Sequence, residues 1–332
     1  MTWLLTGGAG YIGAHIIRAF RAAGERVVVL DDLSTGYRGY VPDGVPFVDG
    51  SVADPAAVAR ALDHGVEGVV HLAGLKYAGV SVRRPLPFHR ANIVGTQVLL
   101  EAVEARGIRR VLFSSSASWY GTPATDTVDE DAPPRPESPY GHGKVASEWL
   151  LRDLAAAWPE LRQTSLRYFN VVGAGEPSLP DLSPHNLFPK VMRALSRGEP
   201  PVVFGDDYPT RDGTCERDYV HVVDLADAHV AAARRLLDGP PPAPAYNVGR
   251  GEGHTVMEVL DAIRRVTGIA FAPRIEPRRP GDPARIVGAV GRIRRDLGWT
   301  ARLGLDDMVG SAWEAWRHGA AAPRDDGARL GL

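Results

Sequence analysis

The chain is poor in lysine and almost devoid of cysteine. Its 332 residues include a single cysteine, Cys215, which excludes an internal disulfide and is typical of a protein from a reducing compartment. No histidine and acid stand at a spacing that would activate this thiol, and we interpret Cys215 as a packed or half-exposed side chain and not as a nucleophile. No group of histidines and cysteines shows the spacing of metal ligands, so the sequence predicts no metal site.

Long apolar runs and a strong net charge are also missing. No apolar run approaches the roughly 20 residues of a membrane span. The first residues, MTWLLTGGAGYIG, lack the basic segment that opens a signal peptide. The formal net charge of -2 gives no basic field for nucleic acid. We therefore expect a cytoplasmic protein that binds neither membranes nor nucleic acid.

Short apolar runs alternate with helical patterns in the first half of the chain. Strands are predicted at 2–6, 26–32, 46–50, 68–74, 111–116 and 163–170, and helices at 11–24, 55–62, 87–106 and 138–157. This alternation predicts an α/β fold with a doubly wound, mostly parallel Rossmann sheet. After residue 170, clustered prolines break the pattern and predict a second, smaller α/β lobe.

These patterns also predict how the chain is divided. We expect a Rossmann domain over residues 1–170, to which segments at about 215–250 return. A substrate lobe over 171–318 and a flexible tail over 319–332 would complete the chain.

A glycine-rich turn leaves the first predicted strand and opens the first helix. In TGGAGYIG (6–13), three glycines stand at the spacing G-x-x-G-x-x-G: Gly7, Gly10 and Gly13. Glycines let the backbone approach a pyrophosphate, which the free N–H groups and the dipole of the helix then bind. Asp31 ends the second strand, where a carboxylate can bind the adenosine ribose. Asp32 follows, and no arginine comes before Arg38, which favours NAD over NADP.

A tyrosine and a lysine stand four residues apart in SPYGHGK (138–144). With three lysines in the chain, such a pair is expected only about 0.09 times by chance. Lys144 lies one helical turn after Tyr140 and can favour the phenolate over the phenol. A drop of about 3 units in the tyrosine pKa requires about 4 kcal/mol. The pair thus predicts a general base that takes the proton of an alcohol while hydride leaves the same carbon. Hydroxyl groups at 114–116 end the preceding strand, beside the expected ligand crevice.

These motifs, together with VVHLAGLKYAGVS (69–81), FSSSASWYG (113–121), LRYFNVVGA (166–174), FGDDYPTRDGTCERDYVHVVDLADAH (204–229) and RRPGD (278–282), resemble the extended short-chain dehydrogenase/reductase family. The blocks at 70–76 and 204–229 resemble its UDP-sugar 4-epimerase branch. The resemblance implies an NAD-dependent isomerase that interconverts UDP-glucose and UDP-galactose through a transient 4-keto sugar. It also implies a homodimer formed through the two long helices at about 87–106 and 138–157.

The resemblance implies a role for each matching residue. The catalytic residues would be Ser116, Tyr140 and Lys144. NAD would contact Gly7, Gly10, Tyr11, Ile12, Gly13, Asp31, Asp32, Leu33, Ser51, Val52, Leu72, Ala73, Gly74, Lys76, Asn92, Tyr140, Lys144 and Phe169. The UDP-sugar would contact Lys76, Ser116, Tyr140, Asn170, Asn186, Leu187, Val203, Phe204, Arg217, Arg279 and Asp282. Among these, Arg217 and Arg279 would clamp the diphosphate, and Asp282 would bind the uridine ribose.

The sequence departs from the family pattern at several positions. Ser51 stands where the family usually has a carboxylate that accepts from the adenine amino group, so the Ser51 hydroxyl must replace it or the contact with adenine is weaker. Trp119 occupies a position where a small β-branched residue is usual. Ile286 lies near the residue expected to limit the pocket at the sugar C2 substituent. Its size leaves acceptance of N-acetylated UDP-hexosamines open.

Other functions remain in competition with this interpretation. A UDP-pentose or UDP-uronate 4-epimerase would share most of the motifs. A dehydratase would carry an Asp-Glu pair after the catalytic hydroxyl, and Ala117 and Ser118 at this place argue against one. A non-catalytic, NAD-sensing Rossmann protein would typically lose Tyr140 or Lys144, and both are present.

Overall fold

The computed structural model describes residues 1–279 and 281–319. The strands of this part of the chain are β1 (Thr2–Thr6), β2 (Arg26–Asp31), β3 (Phe47–Asp49), β4 (Gly68–His71), β5 (Arg110–Ser116), β6 (Arg162–Tyr168), β7 (Asn170–Val172), β8 (Val202–Phe204), β9 (Glu216–His221), β10 (Ala245–Val248), β11 (Gly253–Thr255), β12 (Arg274–Glu276) and β13 (Arg285–Ile286). The α-helices are α1 (Tyr11–Ala22), α2 (Pro55–Leu62), α3 (Ala78–Arg83), α4 (Pro85–His89), α5 (Gly95–Ala105), α6 (Pro139–Ala157), α7 (Leu187–Ser196), α8 (Val222–Leu237), α9 (Val256–Thr267), α10 (Gly291–Leu297) and α11 (Leu305–Gly319).

Seven parallel strands form the central sheet, in the order β10-β6-β5-β4-β1-β2-β3. The doubly wound, mostly parallel α/β fold is therefore confirmed. β1 has β2 on one side and β4 on the other, so the strand order reverses direction at β1. In such sheets, ligands bind at the carboxyl ends of the strands beside this reversal.

Alternating side chains of each strand enter two separate cores, one on each face of the sheet. Leu5 packs with α1 and α8, whose apolar faces include Ile16 and Leu225. Leu4 packs on the opposite face with α2, α5 and α6, whose members include Val58 and Leu151. Both leucines are fully buried. The continuous apolar pattern of TWLLT thus reflects a strand covered by helices on both sides.

The long helix predicted at 87–106 is interrupted. A π-helical turn, Arg90–Val94, joins α4 to α5. Within this turn the backbone carbonyl of Asn92 accepts hydrogen bonds from the hydroxyls of Thr96, at 2.6 Å, and Ser147, at 3.0 Å. The periodicity of the sequence concealed the wider turn, because one inserted residue barely changes which side chains face the core.

The chain after β6 builds a second layer over the carboxyl ends of the sheet. β11, β9, β13 and β7 form one small sheet, and β8 pairs with β12. A separate apolar cluster joins α7, α9 and α11. α8 and β10 return to the central sheet, where α8 packs on α1 and β10 pairs with β6.

The last element of the described chain is α11. α11 runs to Gly319, where the predicted tail was to begin, and residues 320–332 lie outside the described part. Within residues 1–279 and 281–319, no helix combines the length and the apolar character needed to cross a membrane.

Candidate active site

The glycine turn predicted to bind pyrophosphate lies at the reversal of the sheet, between β1 and α1. Gly7 has a φ of +73°, and a Cβ there would lie 2.7 Å from the amide nitrogen of Ala73. A Cβ on Gly13 would lie 2.6 Å from the carbonyl oxygen of Gly7. Only glycine therefore lets the turn pack against the end of β4. The first backbone bond of α1 runs from Ala14 to Gly10, so the preceding N–H groups of the helix are available to an anion.

The carboxylate of Asp31 organises the adjacent end of this cavity. It accepts hydrogen bonds from the backbone N–H groups of Ala9, at 2.9 Å, and Leu33, at 2.8 Å. Burial raises the pKa of Asp31 to about 6, and these two N–H groups oppose the rise. Leu33 has a φ of +56°, the single non-glycine residue with positive φ in the described chain. Its backbone shapes the turn, while its side chain packs against the core.

A cavity of about 290 Å³ joins these elements. Most residues predicted to bind NAD line it, namely Gly7, Gly10, Tyr11, Ile12, Gly13, Asp31, Asp32, Ser51, Val52, Leu72, Ala73, Gly74, Lys76, Tyr140 and Lys144. Leu33, Asn92 and Phe169 do not line it. The glycine cradle, the helix N-terminus and the terminal carboxylate of β2 fit a dinucleotide.

Asn92, predicted to lie near a cofactor diphosphate, bonds to the loop that follows β4. Its side-chain oxygen accepts from the N–H of Leu75 at 2.8 Å, and its amide donates to the carbonyl of Leu75 at 3.0 Å. Both polar groups of the side chain are thus used by the backbone that precedes Lys76. Asn92 holds the loop after β4 in place, and its direct contact with a cofactor diphosphate stays a prediction.

Tyr140 is placed by the first turn of α6. Ser138 caps the helix by accepting from the N–H of Gly141 at 3.1 Å, and Pro139 occupies the first helical turn. The N–H of Tyr140 donates to the hydroxyl of Ser81 at 3.1 Å. The Tyr140 side chain is only 8% exposed and lines the same cavity as Ser116, from the end of β5. The predicted catalytic residues are therefore brought together.

The electrostatics of Tyr140 differ from the expectation that the Lys144 ammonium lowers its pKa. Burial raises the pKa of Tyr140 above its ordinary value of 10.0, and the interaction with Ser116 opposes this rise only in part. The Lys144 amine donates instead to the backbone carbonyl of Ser114 at 2.8 Å. Burial lowers the pKa of Lys144 to about 8, while the charge of Glu148 raises it. Helical spacing put the two groups on one face but did not determine where the amine points.

A second cavity, of about 400 Å³, shares Tyr11, Ile12, Lys76 and Tyr140 with the first. All the residues predicted to contact a UDP-sugar line it, namely Lys76, Ser116, Tyr140, Asn170, Asn186, Leu187, Val203, Phe204, Arg217, Arg279 and Asp282. Phe169, predicted to pack near the nicotinamide, also lines this cavity and stacks on Tyr120, with ring centroids 6.4 Å apart.

Asp282 joins the two arginines predicted to clamp a diphosphate. Arg217 donates to one carboxylate oxygen at 2.7 Å, and Arg279 lies 2.8 Å from the other. The Arg279 guanidinium also lies over the Phe204 ring, 4.7 Å from its centroid. One carboxylate thus holds two guanidinium groups on the same cavity wall, a suitable arrangement for an anion with two phosphates.

Sequence reasoning missed part of the site. Tyr37 and Asp181 line the first cavity, Tyr219 and Cys215 the second, and His185 lies at the second lobe's edge. The His185 ring packs edge-on against Tyr77, with 4.4 Å between centroids. Tyr37, Asp181 and His185 come from loops that carry no motif, and Tyr219 and Cys215 lie in the motif at 204–229 without an assigned role, so only their position in space identifies them.

A further cavity of about 530 Å³ continues the site beyond Ser116. Ser118, Ile286, Arg83 and Lys190 line it. Within the described residues, no group of three or more His, Cys, Asp or Glu side chains has a geometry that could hold a metal ion.

Known proteins resemble this chain over nearly its whole length. Residues 3–249 match the model of the NAD dependent epimerase/dehydratase family. UDP-glucose 4-epimerase of Bacillus subtilis (strain 168) is 40% identical over 328 residues, covering 94% of this chain and 96% of that protein.

Two solved structures extend the comparison to the fold. The UDP-glucose 4-epimerase of Stenotrophomonas maltophila, with bound NAD and formylated UDP-arabinopyranose, has a TM-score of 0.93 at 38% identity. It covers 97% of this chain and 100% of its own. The enzyme of Bifidobacterium longum, in complex with NAD+ and UDP, has a TM-score of 0.89 at 34% identity, over 96% of this chain and 99% of its own.

Proposed function

The chain belongs to the NAD dependent epimerase/dehydratase family, and we propose that it interconverts UDP-glucose and UDP-galactose by epimerisation at C4. One observation carries the proposal: Tyr140 lies on the wall shared by the cavity that fits NAD and the cavity that contains the arginine pair. A base at this junction can reach a sugar hydroxyl beside a hydride acceptor. NAD would be held by the glycine turn and Asp31, and it would supply a reversible acceptor for the hydride of the sugar C4.

The protein's own groups move the proton. The Tyr140 phenolate takes the proton of the C4 hydroxyl as hydride leaves C4, which yields a 4-keto sugar, and Tyr140 returns the proton at the end. Ser116 lowers the pKa of Tyr140, so it stabilises the phenolate. Lys144, fixed on the carbonyl of Ser114, contributes a positive charge on the same helix face. These roles of the three residues are part of the proposal.

Epimerisation requires tight binding of UDP and weak binding of the hexose, because the 4-keto sugar must present both of its faces to the cofactor. The arginine pair on Asp282 supports the tight binding, since it offers two guanidinium groups to a diphosphate. The cavity beyond Ser116, about 530 Å³ in volume, supports the proposal that the sugar has space to rotate. Contacts that held the hexose tightly in one pose would slow the return of hydride.

The proposal is tested by incubating the purified protein with UDP-galactose, without added NAD, and measuring UDP-glucose formation. UDP-N-acetylgalactosamine, a UDP-pentose and a UDP-uronate are assayed in parallel. We expect turnover of UDP-galactose that does not depend on added cofactor, because the cofactor is regenerated in each cycle. A preference for the pentose or the uronate would identify that sugar nucleotide as the substrate in place of UDP-galactose. Absence of all four activities in protein loaded with NAD would favour the NAD-sensing alternative.

We also propose that two copies of the chain form a homodimer through α3, α4, the π-helical turn and α6, which contact one another. This surface carries Val82, Leu86, Val94 and Trp149, whose exposures range from 43% to 76%. Such a group of large apolar side chains on one face is typical of an interface, and two copies can cover each other's patch.

The oligomer is tested by sedimentation of the wild type and of Leu86→Lys. We expect a dimer for the wild type and a monomer for the variant. Ile275→Lys is the matched control, because Ile275 is also 44% exposed but lies on β12, away from this face. A monomeric wild type, or dissociation by the control, would contradict this interface. The cytoplasmic location and the lack of nucleic-acid binding stay predictions.

A further inference from the structure

Trp119 is the residue at which the turn behind the catalytic hydroxyl departs from the family pattern. The turn begins at Ser116, whose hydroxyl accepts from the N–H of Ser118 at 3.1 Å, and it ends at Trp119. The indole is 2% exposed, and its N–H donates to the carbonyl of Ala132 at 3.1 Å. The side chain is therefore fixed at both its ring and its backbone.

The face of this indole carries a buried cation. The Arg167 guanidinium lies 3.6 Å from the ring centroid, and Arg167 is fully buried on β6. Desolvated guanidinium groups are attracted to an indole face more strongly than exposed ones. The ring also covers the guanidinium, which keeps water from competing for its donors.

The covered guanidinium holds a carboxylate that reaches two catalytic elements. Arg167 donates to both oxygens of Glu148, at 2.9 and 2.7 Å. The same carboxylate accepts from the hydroxyl of Ser115, at 2.6 Å, next to the catalytic hydroxyl on β5. Glu148 also lies one turn after Lys144 on α6, and both side chains are buried. One bidentate ion pair thus ties β5, α6 and β6 together.

We propose that Trp119 is a positioning residue of the active site, whose ring holds Arg167 on Glu148 and so fixes Ser116 and Lys144 relative to Tyr140. The inference rests on the proposed function for its catalytic part. The indole reaches Ser116 through the turn and Lys144 through the Glu148 ion pair. The indole covers the guanidinium at 3.6 Å, closer than the Tyr120 ring at 5.5 Å, and a small β-branched side chain would leave the Trp119 side of the guanidinium uncovered.

Two substitutions of similar size distinguish the effect of the aromatic ring of Trp119 from the effect of its side-chain volume. Trp119→Phe keeps an aromatic face for Arg167, and Trp119→Leu removes it. We expect Trp119→Leu to lower kcat about 10-fold with KM changed less than about 2-fold, because the catalytic groups lose their alignment while the UDP contacts remain. Trp119→Phe should keep kcat within about 3-fold of the wild type.

A readout independent of turnover follows the Lys144 side chain by NMR in protein labelled with 13C at lysine Cε. The chain has three lysines, so the Lys144 signal is assigned by its loss in Lys144→Arg. The signal should keep its wild-type position in Trp119→Phe and be displaced in Trp119→Leu. Trp3→Phe and Trp3→Leu are the matched controls, because Trp3 is a fully buried tryptophan that packs edge-on against Phe20 in the distant core.

The outcomes distinguish the proposals. Equal loss of kcat in both Trp119 variants, or wild-type behaviour of both, would overturn the positioning role. A displaced Lys144 signal in Trp3→Leu would attribute the effect to general loosening of the fold and overturn it as well. If the wild type shows no epimerase activity, the proposed function fails, while the NMR comparison still decides whether the ring positions Lys144.

Discussion

The Lys144 amine donates a hydrogen bond to the backbone carbonyl of Ser114, 2.8 Å away inside the protein. This contact ties the amine to β5, where it also lies 4.7 Å from the centroid of the Phe113 ring. It satisfies one donor of a buried ammonium, yet burial still lowers the pKa of Lys144 to about 8. Lys144, one helical turn after the proposed base, therefore loses its charge within the range of ordinary assay conditions.

The first prediction concerns this titration. In the 13C-labelled protein, the Lys144 signal should titrate near pH 8, well below the ordinary lysine pKa of 10.5, because the buried site disfavours the charged amine. Glu148→Gln should move the midpoint to lower pH, since Glu148 is the group that raises this pKa. A wild-type midpoint above pH 10 would contradict the buried environment of the amine.

The second prediction concerns the base. Tyr140→Phe removes the hydroxyl that carries the proton, so kcat should fall by about 10²–10⁴-fold, the range of general-base catalysis. NAD released from the denatured variant and quantified by chromatography should match the wild type, because the glycine turn is untouched. Tyr246→Phe, in the equally buried β10, serves as the control and should retain activity. An active Tyr140→Phe variant would assign the proton transfer to another group.

The third prediction concerns the arginine pair. Arg217→Gln leaves Asp282 with one guanidinium, and we expect KM for the UDP-sugar to rise about 10- to 100-fold with kcat little changed, because a uniform binding contact is lost. The same loss should appear in the Kd for UDP, measured by calorimetry. Arg285→Gln is the control, since Arg285 pairs with Asp126 and Glu216 and lines none of the three cavities of the site. Unchanged binding of UDP by Arg217→Gln would remove Arg217 from the diphosphate site.

The fourth prediction concerns acid stability. Burial lowers the pKa of His229 from 6.5 to about 4, and its ring bonds to the Leu225 carbonyl and the Ser114 hydroxyl. A histidine with a depressed folded-state pKa stabilises the protein fully above pH 6.5, and this contribution is lost as the pH falls toward 4.

The measurement is the free energy of unfolding at pH 7 and pH 5. Between these values His229→Gln should lose about 2 kcal/mol less stability than the wild type, because one buried proton acceptor is gone. The raised pKa of Asp218, about 7, acts in the opposite direction in both proteins, so their difference isolates His229. Equal losses in the two proteins would show that His229 is protonated without cost.

Much of the site was predictable because its chemistry is local in sequence. Each motif is local in the sequence. The glycines of the turn lie within residues 7–13, Asp31 ends β2, and Tyr140 and Lys144 stand four residues apart in one helix. Their backbone conformation follows from residue type and periodicity. The alternation of strands and helices likewise predicted a parallel sheet, and the reversal at β1 then brought the separate motifs to one edge.

The sequence by itself therefore determined the sheet, the cofactor turn and the spacing of the proposed base and its lysine, since these depend on short-range geometry. Only the tertiary structure decided that Asp282 holds two arginines, that Asn92 braces the loop of Leu75 and that Arg167 lies on Trp119. Such contacts join residues far apart in the chain. The same holds for the sign of the pKa shift of Tyr140, because burial depends on every element packed around the side chain.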